Sequence, residues 1–318
     1  MKVLINGKDE TKRTGNLTRS DNVDGLAMSF TFDVAVNDGD KYWPETEIKT
    51  GDKVLLINDT GKAVFGGMIT GMSKNTPHVK SYTAYDYGWN LNKNEVVVQF
   101  RNMSADAAIT KLCSDFAIPV GKICTMPTKI SKVYNGDILS DCLKDIIKQV
   151  EADTAKSYRL EVRENKFYIE PYSDLVVKTS FKPANNLAPF DPMKHPANEC
   201  STESIEDMSN SIKIVSAGEQ SVQVIAVEKD ETSIIRYGLL QKVEQLNDRN
   251  SAQAGNLAKN LLLENNKIAV GESVTFLGDD AVRSGRIVVY QGKAHLVKSC
   301  THHYENGIHT MDLTLEVA

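Results

Sequence analysis

Gly51-Asp52-Lys53-Val54-Leu55-Leu56, then Val64-Phe65-Gly66-Gly67-Met68-Ile69, then Ser81-Tyr82-Thr83-Ala84-Tyr85-Asp86-Tyr87 form a run of short segments with alternating apolar positions. A similar run stands near the other end of the chain. It comprises Gly271-Glu272-Ser273-Val274-Thr275-Phe276, Arg286-Ile287-Val288-Val289-Tyr290, and residues 296–303 and 308–317. Each copy opens on a Gly-acidic pair, passes through short strands and closes with a longer one. The pattern predicts two related β-barrel-like domains, and such duplication points to a ring-building structural part rather than a catalyst.

Outward from the first run, residues 1–102 read as nearly all β. Residues 2–5 end at an Asn6-Gly7 turn, and residues 28–36 set Phe30, Phe32 and Val34 against Ser29, Thr31 and Asp33. Asp38-Gly39-Asp40, Asp59-Thr60-Gly61 and Asn92-Lys93-Asn94 supply turns. The pattern changes at Asn102. Ser104 is placed to cap a helix bearing Ala105, Ala108, Ile109, Leu112, Cys113 and Phe116, with Pro119 beyond its end. A second helix follows Gly136 with Ile138, Leu139, Cys142, Leu143, Ile146, Ile147 and Val150 on its stripe. A hairpin over 158–162 and 166–170 then turns at Glu164-Asn165.

Residues 181–198 hold Pro183, Pro189, Pro192 and Pro196, an extended crossing rather than an element. Strands resume at 211–215 and 221–227, and a third amphipathic helix spans about 248–265, expected to pack with the α+β unit. The fold class is therefore a β-rich α+β protein: two related β-barrel-like domains with an inserted α+β module. The domains expected are 1–102 for the first barrel, 103–204 plus 231–266 for the α+β/helical module, and 205–230 plus 267–318 for the second barrel.

At 318 residues, with 41% hydrophobic and 25% charged residues, the chain suits two or three soluble domains. A net charge of -5 without basic runs argues against nucleic-acid binding. No stretch approaches the roughly 20 apolar residues of a membrane span, and the first residues lack a signal-peptide pattern. The five cysteines are scattered without CxxC spacing, which predicts reduced thiols and folding in a cytoplasm.

The sharpest chemical cluster is Cys300-x-His302-His303 with His309 nearby. Imidazole and thiolate are zinc ligands, and Cys300, His302 and His309 are the only candidates for a metal site. A hairpin turning at Asn306-Gly307 accounts for the same residues. It sets Tyr304 beside His309, His302 beside Met311 and Cys300 beside Leu313, all on one sheet face. No further Cys pair completes a closed site, so no metal, cofactor or catalytic residue is assigned. Asp279-Asp280 reads as a turn, because adjacent strand residues point to opposite faces. Gly66, Gly67 and Gly71 read as a bulge or a close backbone approach. Tyr82, Tyr85, Tyr87 and Trp89 read as barrel filler rather than a stacking platform. Nucleophile-elbow, Walker, His-Glu-x-x-His and dinucleotide patterns are absent from the sequence.

Several short motifs in order resemble one family. They are Gly51-Asp52-x-Val54, Val64-Phe65-Gly66-Gly67-x-Ile69, Tyr82-x-Ala84-Tyr85-Asp86 and Asn102-x-Ser104-Ala105-x-x-Ala108-Ile109. With them go Phe116-x-Ile118-Pro119, residues 204–208 and Gly307-x-His309-Thr310-Met311-x-Leu313. Together they resemble the XkdQ/YqbQ-like proteins of phage-like elements and contractile phage tails. The resemblance implies a baseplate hub of a contractile phage tail or tailocin. Such a hub is a homotrimer whose six barrels join the sixfold tail tube protein to the threefold central spike protein and to other baseplate proteins. It implies location in the virion or tailocin particle, assembly in the bacterial host cytoplasm, and no membrane or specific nucleic-acid partner. The loops at Asp38, Gly39 and Asp40 and at Asn92, Lys93 and Asn94 are the candidate interfaces, with the proline-rich crossing on the spike side. A tail-associated cell-wall hydrolase is the alternative expectation.

Overall fold

Alternation of apolar and polar side chains builds the first lobe. The computed structural model describes the chain except residues 38, 41, 44–46, 155, 181–187, 217–222, 247–253 and 318, and the side chains of 75 and 246. β1 (Lys2–Ile5), β2 (Lys8–Asp9), β3 (Thr14–Asn22), β4 (Ser29–Ala35), β5 (Lys53–Ile57), β6 (Ala63–Thr76) and β7 (Val79–Asp86) pair antiparallel. β4 buries Phe30, Phe32 and Val34 and turns the intervening residues to its other face. The rings of Phe30 and Phe32 stack at 5.1 Å and those of Phe32 and Tyr82 at 5.4 Å, over a core that includes Val3, Leu56 and Ile69. Tyr82 faces this core while Tyr87 is exposed, so the tyrosine run forms no single platform. A Cβ on Gly67 would lie 2.1 Å from the Tyr85 carbonyl oxygen, and the register shifts beside Gly71. These glycines are thus a close backbone approach and a bulge.

The α+β module follows. It contains α1 (Gly88–Leu91), β8 (Glu95–Gln99), β9 (Met103–Ser104), α2 (Ala105–Asp115), β10 (Val120–Ile123), β11 (Lys129–Ile130) and β12 (Val133–Ile138). α3 (Leu139–Thr154), β13 (Tyr158–Arg163) and β14 (Lys166–Pro171) complete it. α2 buries Ala105, Ala108, Ile109, Leu112 and Cys113, and α3 buries Leu139, Cys142, Leu143, Ile146, Ile147 and Val150, the stripes that a 3.6-residue period dictates. Both pack with Leu160, Phe167 and Ile169 of the hairpin in one core. The hairpin turns on Glu164 and Asn165, both at positive φ, which matches the twist of the flanking strands.

β15 (Asn198–Ser204) leads out of this unit, which spans residues 1–199 and 273–318, into a second one over residues 200–272. That second unit holds β16 (Ser211–Ser216), β17 (Val224–Lys229), α4 (Glu231–Tyr237), β18 (Gln241–Leu246) and α5 (Ala254–Asn265). β16 pairs antiparallel with β17 and parallel with β18. Ile212 and Ile214 of β16 form an apolar cluster with Ala254 and Ala258 of α5, against which Leu257, Leu261 and Leu262 also pack. The sequence pattern places residues 205–230, which hold β16 and β17, with the second barrel, and residues 231–266, which hold α5, with the helical module. In the structure they are companions in one small unit, because the apolar stripe of α5 is covered by the sheet face that Ile212 and Ile214 present.

The chain returns through β19 (Ala269–Leu277), beside β15, and ends with β20 (Ile287–Tyr290), β21 (Lys293–Glu305) and β22 (Ile308–Val317). The second lobe has its own core of Val274, Phe276, Val288, Tyr290, Val297, Met311, Leu313 and Leu315. All the strands of both lobes belong to one curled 12-stranded sheet, ordered β15-β19-β22-β21-β3-β4-β7-β6-β5-β1-β2 with β20 also on β21. The protein is thus a β-rich α+β fold with two barrel-like lobes and an inserted α+β module. The strand opening the C-terminal run, β19, neighbours the last strand β22, whereas β5 of the first run neighbours the next strand β6. Similar sequence patterns are therefore wired differently in the two lobes. Among the described residues no helix is long and apolar enough to cross a membrane.

Candidate functional site

β21 belongs to both lobes, and the polar cluster of the fold is built where it crosses from one core to the other. One edge of β21 pairs with β22 along its length. The other pairs first with β20, Ile287 opposite Leu296, and then with β3, from Ser299 opposite Asn22 to Tyr304 opposite Leu17. A register shift between Val297 and Ser299 places Val297 and Cys300 on the same buried face. Tyr304 at the far end joins the first core. His302 lies between the two cores and is 1% exposed.

The hairpin register is the one that the Asn306-Gly307 turn predicts, with φ of 51° and 77° at those residues. Tyr304 faces His309, His302 faces Met311 and Cys300 faces Leu313. Cys300, His302 and His309 therefore do come together. Cys300 Sγ lies 3.1 Å from His302 Nε2, and His302 Nδ1 lies 2.8 Å from His309 Nε2. His302 Nε2 is also 2.9 Å from the Val282 carbonyl oxygen. A carbonyl only accepts, so Nε2 carries the proton and Nδ1 is the acceptor facing His309. The His309 ring stacks on Tyr304 at 4.2 Å and occupies the space of an absent Gly278 side chain, where a Cβ would lie 2.1 Å from a ring carbon.

Asp280 completes the cluster, although in sequence it read only as part of a turn. Its carboxylate accepts from Tyr304 Oη at 2.6 Å and from Asn58 Nδ2 at 3.0 Å. The buried Arg19 guanidinium lies 3.6 Å away and His309 Nε2 3.9 Å away. Its neighbour Asp279 turns elsewhere, accepting from the backbone N–H groups of Ala281 and Ser180. Burial opposes the charge on Asp280, but Arg19 and the two hydrogen bonds outweigh it and hold the carboxyl below its ordinary range. Burial also pushes His302 well below the usual imidazole value, with Arg19 adding to the effect. His309 is pushed down to about 4 by burial, partly offset by Asp280. Both rings are neutral at pH 7. Asp280, Tyr304, His309 and Asn58 line a cleft of about 400 Å³. His303 stands on the other face of β21 beside Thr18 and Asp312.

A second polar assembly ties the α+β module to both lobes. Arg159 donates to the carbonyls of Asn22 and Val23 and to Ser284 Oγ. Glu161 receives Arg286 at 2.8 Å and Arg163 at 3.0 Å, while Arg283 reaches Asp21 at 3.3 Å. Arg163, Arg283, Arg286 and Asp86 line an adjoining cleft of about 750 Å³. Nothing in the sequence marks this assembly, since Arg159, Glu161 and Arg163 alternate like a solvent-facing edge.

Of the candidate interface residues, Gly39, Asp40, Asn92, Lys93 and Asn94 are exposed, and Asp38 lies outside the described residues. Asp40 orders its own turn by accepting from Tyr42 N, and Asn94 is fixed through its carbonyl to Leu139 N. In the proline-rich crossing, Pro183 lies outside the described residues. Pro192 opens a short 3-10 turn capped by Asp191.

YqbQ of Bacillus subtilis is 27% identical over 84% of this chain and 81% of its own length. XkdQ, a protein of the phage-like element PBSX in the same organism, is 25% identical over the same shares. Among solved structures, the 43 kDa tail protein of prophage MuSo2 from Shewanella oneidensis superposes with a TM-score of 0.72. That match covers 99% of this chain and 98% of the other at 13% identity, a likeness of fold. The model of YQBQ-like proteins matches residues 17–316, nearly the whole chain, and the protein therefore belongs to the YQBQ-like family.

Proposed function

We propose that this chain is a structural part of a contractile phage tail or tailocin. Its role there is a baseplate hub that adapts a sixfold tail tube to a threefold central spike as a homotrimer. The observation that carries the reading is the construction of two barrel-like lobes on one continuous sheet, joined through β21. A ring of three such chains presents six similar lobes. Closed rings arise when a heterologous contact between identical chains has the right rotation. The family relationship to a PBSX protein and the fold shared with a prophage tail protein support the same role.

The exposed turns at Gly39-Asp40 and Asn92–Asn94 are the surfaces assigned to neighbouring subunits, and the crossing from Pro189 to Pro196 to the spike side. In this reading the buried arginine–glutamate assembly is a joint, since its charges pair within the chain.

Size exclusion with light scattering tests the proposal, on the chain alone and with its co-encoded spike and tube proteins. A species of about three times the 35.1 kDa chain mass in either sample is expected. A monomer in both, with no association, would overturn the hub. Turnover of purified peptidoglycan by the chain would favour a tail-carried hydrolase instead.

A further inference from the structure

Asp280, His302 and His309 each offer one ligand atom, and these atoms all lie within 4.8 Å of one another. We propose that the three side chains form a binding site for a first-row transition ion of the zinc or cobalt kind, at the seam where β21 passes between the two lobes.

The orientation of His302 is the first argument. Its Nε2–H is committed to the Val282 carbonyl at 2.9 Å, which leaves the Nδ1 lone pair facing His309, with an Asp280 carboxylate oxygen within 4.8 Å. A ring nitrogen donating to a carbonyl while the other faces the ion is the usual way a metal-binding histidine is fixed. Asp280 is fixed as well, by Tyr304 and Asn58. Cys300, by contrast, approaches the protonated nitrogen of His302, on the side away from His309. It supports the ring rather than ligating, and Asp280 replaces it in the ligand set read from the sequence.

Access and distance agree. Asp280 and His309 open onto the cleft of about 400 Å³, from which water can fill the remaining coordination position. Bonds of about 2.0–2.1 Å at a tetrahedral centre set two ligand nitrogens about 3.3 Å apart. The two imidazoles, now at 2.8 Å, must open by about half an ångström for this geometry, and His309, whose Nε2–H donates to His302 Nδ1 without the ion, must carry its proton on Nδ1 instead. His309 follows the Asn306-Gly307 turn and is partly exposed, so it is the ligand that moves.

Charge selects the ion. Arg19, 3.6 Å from Asp280, offsets the single carboxylate, so hard cations that need several oxygen ligands gain little. Two imidazole ligands favour zinc, cobalt or nickel instead.

The test is titration of the untagged, chelator-treated full chain with cobalt(II), followed by its visible absorption, with zinc(II) as competitor. One saturable ion per chain with the intense bands of a four-coordinate site is expected. His309→Gln and Asp280→Asn should each weaken binding by about tenfold or more, while His303→Gln leaves it unchanged. Removing His302 from between the cores risks unfolding. His309→Gln, checked for unaltered circular dichroism, therefore carries the decision. No saturable binding, binding by His309→Gln equal to the parent, equal loss in His303→Gln, or tighter binding of magnesium or calcium would each overturn the site.

Discussion

Arg286 and Glu161 meet in a buried ion pair, Nη2 to Oε1 at 2.8 Å, with the arginine on the second lobe and the glutamate on β13 of the α+β module. Arg163 contacts the same carboxylate oxygen at 3.0 Å, and Arg283 approaches the other at 4.0 Å. Burial alone would raise the Glu161 carboxyl, but the surrounding guanidinium groups hold it below its ordinary value. Glu161 thus shares the counter-charge of an arginine cluster that joins module to lobe, with Asp21 on Arg283 and Glu170 on Arg163.

Glu161→Ala should therefore destabilise the protein by about 3–5 kcal/mol, because it leaves the buried Arg286 guanidinium without its carboxylate partner. Glu161→Gln, which keeps the volume and an acceptor, should cost less. Urea denaturation of the two variants against the parent measures both. A loss below about 1 kcal/mol for the alanine variant would show that the joint is held by apolar packing instead.

Gly278 is a steric requirement of the histidine cluster. A methyl group there would overlap the His309 ring, so Gly278→Ala must expel the ring into the cleft. The expected cost is about 1–3 kcal/mol, measured by thermal or chemical denaturation. The same variant should lose cobalt binding by about tenfold or more, which separates displacement of His309 from simple overpacking elsewhere.

Local patterns were legible in the sequence, and long-range partnership was not. Asn306-Gly307 fixed the register of β21 and β22 to the residue, because a two-residue turn leaves no freedom in the pairing. The stripes of α2 and α3 were equally readable, since one face of each helix must be apolar. Asp280 was not legible as a neighbour of His302, because only tertiary folding brings the 278–282 loop over β21. β13 misled in a different way. Its Arg159 and Glu161 alternate with apolar residues as on a half-solvated strand, yet both faces are buried, one against the module core and one against charges from the lobes. The grouping of β16, β17 and α5 was hidden because alternation announces a strand without naming its sheet.

A strand shared by two cores should couple their unfolding. Phe32 fills the first core and Phe276 the second, each fully buried. Phe32→Ala and Phe276→Ala should each cost about 3–5 kcal/mol. Because β21 pairs with both β20 and β3, either change should shift a single transition for both lobes. Calorimetry and Trp fluorescence monitored together check this. Two separated transitions in either variant would show that the lobes melt independently.

Asp86 gives the fold a pH dependence of defined sign. Burial raises its carboxyl to about 7, against partial relief from Arg283 and from the backbone N–H of Gly88. In the unfolded chain the group titrates near its ordinary value of 3.8. Between those values the folded state binds the extra proton, so stability falls as pH rises from about 4 to about 7 and levels off above. Asp86→Asn keeps an acceptor for Gly88 N and removes the titration. The difference in stability between variant and parent should grow across that window in favour of asparagine, reaching about 2–4 kcal/mol, while other groups cancel in the comparison. Urea midpoints at pH 4.5, 6 and 8 measure it. A difference that stays constant with pH would mean that Asp86 is ionised throughout and that its pairing with Arg283 outweighs burial.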